Sequence, residues 1–95
     1  LDNNFTSSEV LAKPEFWGKT LQELDTIDTY HLTLITIIRK REKRNLIGKK
    51  SIIKESIGRP TPETKIEEND ILVVYGNNRD IEFYCQDQEE QEIRK

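Results

Sequence analysis

The chain has 95 residues, of which 34% are hydrophobic and 35% are charged, and its formal charge at pH 7 is −3. A chain of this length forms one domain with a thin core, and association with a second copy is a common way for so small a domain to bury more surface. The low net charge gives no reason to expect a nucleic acid or membrane partner, and no apolar run reaches the roughly 20 residues needed to cross a bilayer.

Cysteine and methionine usage indicates the cellular setting. The single cysteine, Cys85, cannot form an internal disulfide, which favours a reducing compartment and therefore the cytoplasm, or the cytoplasmic face of a membrane. The sequence contains no methionine, so we expect it to be part of a longer protein. Residues 1–4 are predicted to lead in from an upstream region and residues 5–85 to form the domain. Residues 86–95 are predicted to be a polar acidic tail, either a frayed helical end or a disordered segment.

The first predicted elements are a strand and a short helix. Phe5–Leu11 has the alternation of a strand. The sequence from Thr20 to Glu23 has the pattern of a capping box, in which the Thr20 hydroxyl accepts from the Glu23 amide and the Glu23 carboxylate reaches back. A helix is therefore predicted to begin there. Its inward-facing residues would be Leu21, Leu24 and Ile27.

Two strands, Tyr30–Arg39 and Ile71–Tyr75, are the strongest in the chain, and both carry aliphatic side chains on both faces. In the first, Leu32, Leu34, Thr36 and Ile38 are predicted to face one way, and His31, Thr33, Ile35, Ile37 and Arg39 the other. A strand with two apolar faces must be covered on both sides, so we expect a second copy to cover one of them. The residues expected at this dimer interface are Ile35, Ile37, Val73 and Tyr75.

The basic segment Lys40–Lys50 lies between the two strong strands. Runs of Lys and Arg can bind nucleic acid or acidic lipid. No aromatic residue is interleaved with this run, so bases would have no platform on which to stack. We therefore predict a solvated connecting loop, interrupted by Gly48, and no nucleic acid partner. A further strand is predicted over Ser51–Ile57.

Turn and capping signals surround the last strand. A short extended piece runs from Pro60 to Ile66, and Asn69 and Asp70 have turn chemistry. Asn69 tolerates a left-handed backbone, while Asp70 can bond its own downstream backbone. After Gly76, either of two asparagines, Asn77 or Asn78, can cap a helix. The residues that this helix would hold inward are Ile81, Tyr84 and Cys85.

This order of elements predicts an α+β fold: a small, mostly antiparallel sheet with two short helices on one face, in a dimer. The sequence contains no recognisable catalytic or metal-binding motif. The lone His31 and Cys85 lie far apart and form no metal-binding motif, and the sequence shows no nucleophile elbow or glycine-rich phosphate loop. The sequence thus predicts a protein that is not an enzyme and has no metal site.

Four blocks occur in a fixed order. They are Gly18-Lys19-Thr20-Leu21-Gln22-Glu23-Leu24, the strand ending in Ile38-Arg39, Pro60-x-Pro62-x-Thr64-x-Ile66, and Asn69-Asp70-Ile71-Leu72-Val73-Val74-Tyr75-Gly76. Across residues 5–84 this order resembles the C-terminal domain of regulators of potassium conductance, called RCK-C or TrkA-C. The resemblance implies a cytosolic domain that forms homodimers and regulates a potassium or other monovalent cation channel or transporter, in cis or in trans.

In some branches of that family the regulatory ligand is cyclic di-AMP, held where two copies meet. The resemblance then implies cyclic di-AMP or another nucleotide as ligand, with Arg39 on phosphate, Asn45 on the base, and Ile38 and Pro60 along an apolar wall. Arginine suits phosphate because it stays charged and donates two parallel hydrogen bonds. Asparagine offers a donor and an acceptor to an adenine edge.

Arg39 and Asn45 can also be explained without a ligand. Arg39 would extend into water at a strand exit, and Asn45 would serve a turn. The corresponding alternative for the whole chain is a purely structural dimerisation module that binds no small molecule.

Overall fold

The computed structural model describes residues 4–25 and 29–93, with side chains as far as Gln86. Its main element is a four-stranded sheet in the order β1-β4-β2-β3, in which all three pairings are antiparallel, as predicted. The strands are β1 (Phe5–Leu11), β2 (Thr33–Arg44), β3 (Lys50–Ser56) and β4 (Ile71–Asn77). A 3-10 helix covers Pro14–Phe16, and an α-helix, α1, spans Asn78–Ile93.

The core lies on one face of the sheet. At its centre Leu72 and Val74 of β4 are each 3% exposed, and α1 covers them with Ile81 and Tyr84. The other buried apolar residues of this cluster are Val10, Ala12, Phe16, Tyr30, Leu32, Ile37 and Ile66. The side chain of Asn77 caps α1, accepting a hydrogen bond from the Arg79 amide at 2.9 Å. The predicted second helix, its cap and its inward residues are confirmed.

A lysine is buried among the aromatic rings of this core. Lys13 is 0% exposed, and its Nζ lies 4.7 Å from the ring centroids of both Tyr30 and Tyr84. The Tyr84 hydroxyl donates a 2.6 Å hydrogen bond to the Leu11 carbonyl, which ties α1 to the end of β1. Burial raises the pKa of Tyr84 well above its ordinary value, because the ionised phenolate would lose its hydration.

The capping box forms, but residues 21–25, which directly follow it, are not helical; helical backbone is described at residues 29–30, where the Thr29 amide donates to the Asp25 carbonyl at 2.9 Å. The Glu23 amide donates to the Thr20 hydroxyl at 3.2 Å, and that hydroxyl donates to the Glu23 carboxylate at 3.1 Å. Residues 21–23 are turns, because the Leu21 and Gln22 amides donate instead to the carbonyls of the proline-rich segment, Thr64 and Pro62. The predicted inward position of Ile27 lies outside the described residues.

Strand β2 differs from the prediction in length and in facing. It continues to Arg44, so the predicted loop beginning at Lys40 is wrong over its first five residues, which pair with β3. A bulge at Ile35, between Leu34 opposite Val74 and Thr36 opposite Val73, adds one residue and reverses the alternation beyond it. Ile37 therefore lies on the covered face and is 0% exposed, so it has no surface left for a second copy.

The opposite face of the sheet is open in the single chain. Tyr75 is 46% exposed and stacks on Phe5 with a centroid distance of 5.9 Å, while Leu11 is 56% exposed. Ile71 and Val73 are half-buried beside them. This apolar surface, together with Ile35 at 47% exposed, is where the sequence predicted a partner.

Candidate ligand-binding site

Arg39 does not extend into water as the structural alternative supposed. Its Nε donates to Asp70 Oδ1 at 2.9 Å and its Nη2 donates to Asp70 Oδ2 at 2.8 Å. The same Nη2 donates to the Lys65 carbonyl at 2.9 Å, and Glu67 forms a second ion pair with Nε at 2.6 Å. Arg39 thus clamps β2 to the turn that leads into β4.

The partner of this clamp is deeply buried. Asp70 is 1% exposed, and its Oδ2 accepts a 2.8 Å hydrogen bond from the Glu67 amide, an upstream group rather than the predicted downstream one. Asn69 before it has the predicted left-handed backbone, with φ of 66°. The hydrogen bond to Asp70 raises the pKa of Arg39, against the opposing effect of burial. A buried carboxylate needs such a partner, so Arg39 has a structural role whether or not it also contacts a ligand.

Asn45 lies at the far end of the β2–β3 hairpin. Its Oδ1 accepts hydrogen bonds from the amides of Ile47, at 3.1 Å, and Lys49, at 2.9 Å, and its own amide donates to the Lys49 carbonyl at 3.0 Å. Six positions of extended strand separate it from Arg39, which is roughly 20 Å. Within one chain, the structure therefore does not bring Arg39 and Asn45 together.

Pro60 lines a groove of about 490 Å³ between the start of β2 and the turns after Thr20. This volume is within the range of small-molecule sites. Most of the lining is apolar, and Ile35 contributes to it. The groove is lined by Leu21, Leu24, Asp25, Thr33, Leu34, Ile35, Arg59 and Pro60. Ile38, predicted beside Pro60, is half-buried farther along β2, between Ser56 and Ile71.

The groove contains one arginine, Arg59, which the sequence analysis did not identify as a site residue. It is exposed and precedes Pro60, whose fixed backbone dihedral holds the segment at the rim. An apolar groove beside a guanidinium can accept a flat base on its walls and a phosphate at its edge. The sequence signal for Arg59 was only its position next to a proline already assigned to the apolar wall.

The chain is similar in structure to a solved RCK C domain of the potassium transport protein KtrA, determined in complex with cyclic diadenosine monophosphate. The alignment covers 90% of this chain and 85% of that chain, with a TM-score of 0.63 and 24% sequence identity. The chain has an RCK C-domain fold. This agrees with the resemblance seen in the ordered sequence blocks. No family model matches the sequence, and no curated protein matches it.

Among the described side chains, those of residues 4–25 and 29–86, no group of three or more His, Cys, Asp or Glu residues is placed to hold a metal ion. Across residues 4–25 and 29–93, no helix combines the length and apolar character needed to span a membrane.

Proposed function

We propose that this chain is a cytosolic ligand-sensing and dimerisation domain that regulates a potassium or other monovalent cation channel or transporter. The single observation that carries the proposal is the RCK C-domain fold, shared over 90% of the chain with a potassium transport regulator domain solved with a cyclic dinucleotide. The groove around Pro60 supplies a place where a nucleotide such as cyclic di-AMP would bind.

The proposed dimer uses the open face of the sheet. Val73 and Tyr75 lie on that face, and Ile35 both borders it and lines the groove. A second copy packed there would cover exposed apolar surface and close one side of the groove. A ligand held between the copies would favour one subunit arrangement and so shift the equilibrium of the attached transporter.

Within this groove we assign the phosphate contact first to Arg59, with Ile35 and Pro60 against the base. Arg59 is exposed, whereas Arg39 already uses its Nε and Nη2 on Asp70, Glu67 and the Lys65 carbonyl. A phosphate contact by Arg39 would use its remaining nitrogen, Nη1. Ile38 and Asn45 would reach the ligand only from the partner copy or after a change in the hairpin.

A structural dimerisation module without a ligand is the second candidate. It is favoured by the internal roles of two residues predicted to bind the nucleotide, Arg39 in the Asp70 clamp and Asn45 in the hairpin turn. The two candidates share the dimer and differ only in whether a small molecule binds.

Thermal unfolding with added cyclic di-AMP, and then with other adenine nucleotides, separates the candidates. A ligand that binds only the folded protein raises Tm, with about 2.7 kcal/mol of added stability at a concentration a hundredfold above Kd. Arg59→Gln is expected to remove most of this shift, because Gln keeps a polar side chain but loses the positive charge and the paired guanidinium donors. The matched control is Arg79→Gln, an exposed arginine at the start of α1, which should retain the full shift.

Sedimentation velocity tests the dimer separately from the ligand. If the wild-type dimer dissociates in the variant Tyr75→Glu and no nucleotide raises Tm, the results would favour the structural dimerisation module over the ligand-sensing domain. A wild-type chain that remains monomeric at high concentration would contradict both candidates. A ligand shift that survives Arg59→Gln unchanged would exclude the assignment of Arg59 to phosphate.

A further inference from the structure

The distal part of the β2–β3 hairpin, residues 40–54, projects as a two-stranded ribbon, here called the arm. Beyond Ile38, β2 pairs only with β3 among the described residues, so neither outer edge of the arm is joined to the sheet. Every residue from Lys40 to Ile52 is exposed. No element of the described chain packs over this ribbon, and its surface is free to meet another molecule.

The arm holds a charge that the low net charge of the chain conceals. It contains seven of the 15 Lys and Arg residues and only one of the 18 acidic residues. Its formal charge is therefore +6, and the remainder of the chain carries −9. Four of these cations, Lys43, Arg44, Lys49 and Lys50, lie within three residues of the tip formed by Leu46 and Ile47. A concentrated positive field of this kind attracts an anionic surface.

The tip itself is apolar and held in place. Leu46 is 106% exposed and Ile47 is 86% exposed, the highest values among the large exposed hydrophobic residues of the described chain. The Asn45 side chain accepts from two amides of the turn, and Gly48, with φ of 83°, donates its amide to the Asn45 carbonyl at 3.0 Å. The turn therefore presents two adjacent aliphatic side chains outward instead of letting them fold back on the ribbon.

We propose that the arm docks on an anionic lipid surface. Leu46 and Ile47 enter the boundary between headgroups and acyl chains, and the four flanking cations contact headgroup phosphates. This pairing of aliphatic tip and basic flank is the chemistry of interfacial membrane binding. A nucleic acid fits less well because the arm contains no aromatic residue for stacking, and its two most exposed apolar groups would remain in water. The proposal is independent of the nucleotide assigned to the groove.

The test is sedimentation of the 95-residue chain with vesicles of phosphatidylcholine, with or without phosphatidylglycerol. We expect binding only to the anionic vesicles, weakening as salt is added. The triple variant Lys43→Gln, Arg44→Gln, Lys49→Gln should lose roughly ten- to a hundredfold in affinity, because each cation near an anionic surface contributes to binding. The matched control Lys19→Gln, Lys65→Gln, Arg79→Gln removes the same charge from exposed positions outside the arm and should bind like wild type.

A second pair of variants tests insertion of the tip. Leu46→Ser should weaken binding roughly tenfold, since an interfacial leucine side chain is lost, and the loss should persist at high salt. Phe83→Ser, at an exposed apolar residue of α1 outside both the arm and the open face of the sheet, should leave binding unchanged. Equal binding to both vesicle types, equal losses in the two triple variants, or no binding at all would overturn the proposal. The proposal would also be overturned if a single-stranded oligonucleotide competed with the vesicles for the chain and the triple arm variant abolished that competition. A dimer that depends on the arm and forms without lipid would overturn it as well.

Discussion

The sheet body and the arm are made from the same two strands, yet different physics holds them. In the body, β2 lies between two neighbours, Ile37 is completely buried, and even the charged Arg39 is part of a closed network. In the arm, the continuation of β2 has one neighbour, and its ion pairs, Arg41 with Glu55 and Glu42 with Lys50, are exposed. The difference shows that the first half of one regular strand can belong to the core of the sheet while its second half forms an exposed surface.

The largest expected effect comes from opening the Arg39 clamp. Arg39→Ala would leave the buried Asp70 carboxylate without its cation, and breaking such a pair costs about 3–5 kcal/mol. Urea unfolding measures the loss. The matched change in the arm, Arg41→Ala, breaks an exposed pair and should cost less than about 1 kcal/mol.

A double-mutant cycle sharpens this test. Adding Asp70→Asn to Arg39→Ala removes the stranded charge and should recover part of the stability. If Arg39→Ala and Arg41→Ala had equal effects on the free energy of unfolding, the contrast between body and arm would not hold.

An intermediate effect is expected at alkaline pH. Burial holds the pKa of Tyr84 above its ordinary value of 10.0 in the folded protein, whereas the unfolded phenol ionises near that value. The folded state then binds more protons above pH 10, so the stabilisation is complete below pH 10 and falls as the pH rises further. The slope contributed by one proton is about 1.4 kcal/mol per pH unit.

Tyr84→Phe should remove that slope while Tyr75→Phe, at an exposed tyrosine, should preserve it. Denaturant midpoints measured from pH 9 to 11.5 would show the difference. A slope that is the same in wild type and Tyr84→Phe would mean that another group controls the alkaline loss.

The smallest effect on folding is expected at the tip of the arm. Replacing Leu46 and Ile47 together by serine should change the unfolding free energy by less than about 0.5 kcal/mol, since neither side chain is buried. Circular dichroism melting curves provide the measurement. A larger destabilisation would mean that the tip packs against the body in solution, and the arm would then not be a free surface.

Local sequence patterns predicted the elements that depend on local physics. Turn chemistry and periodicity account for the first and last residues of β1, the caps at Asn77 and Thr20, the left-handed backbone of Asn69 and the inward positions of Ile81 and Tyr84. The predicted fold class and the sequence order of the four blocks were sufficient to identify the RCK C-domain fold.

What could not be predicted depends on contacts between distant segments. No residue type marks the bulge at Ile35, so the period-two alternation placed Ile37 on the wrong face. The Asp70 partner of Arg39 lies 31 residues away, and without it an arginine at that position resembles a free phosphate ligand. The groove around Pro60 likewise joins three segments, so Arg59 had no recognisable signature before the chain was folded.

The bulge at Ile35 fixes which way everything after it points. Because successive strand side chains alternate, one extra residue inverts the orientation of the whole distal half of β2. It is this inversion that aims Arg39 at Asp70. In a related chain lacking the insertion, the arginine would emerge on the reverse side of the pleat, and its acidic counterpart at the turn should be replaced by an uncharged residue. A single bulge thus determines which face of the sheet every later side chain of the strand occupies. Its presence in a related chain can be recognised from whether the arginine and the aspartate are kept or lost as a pair.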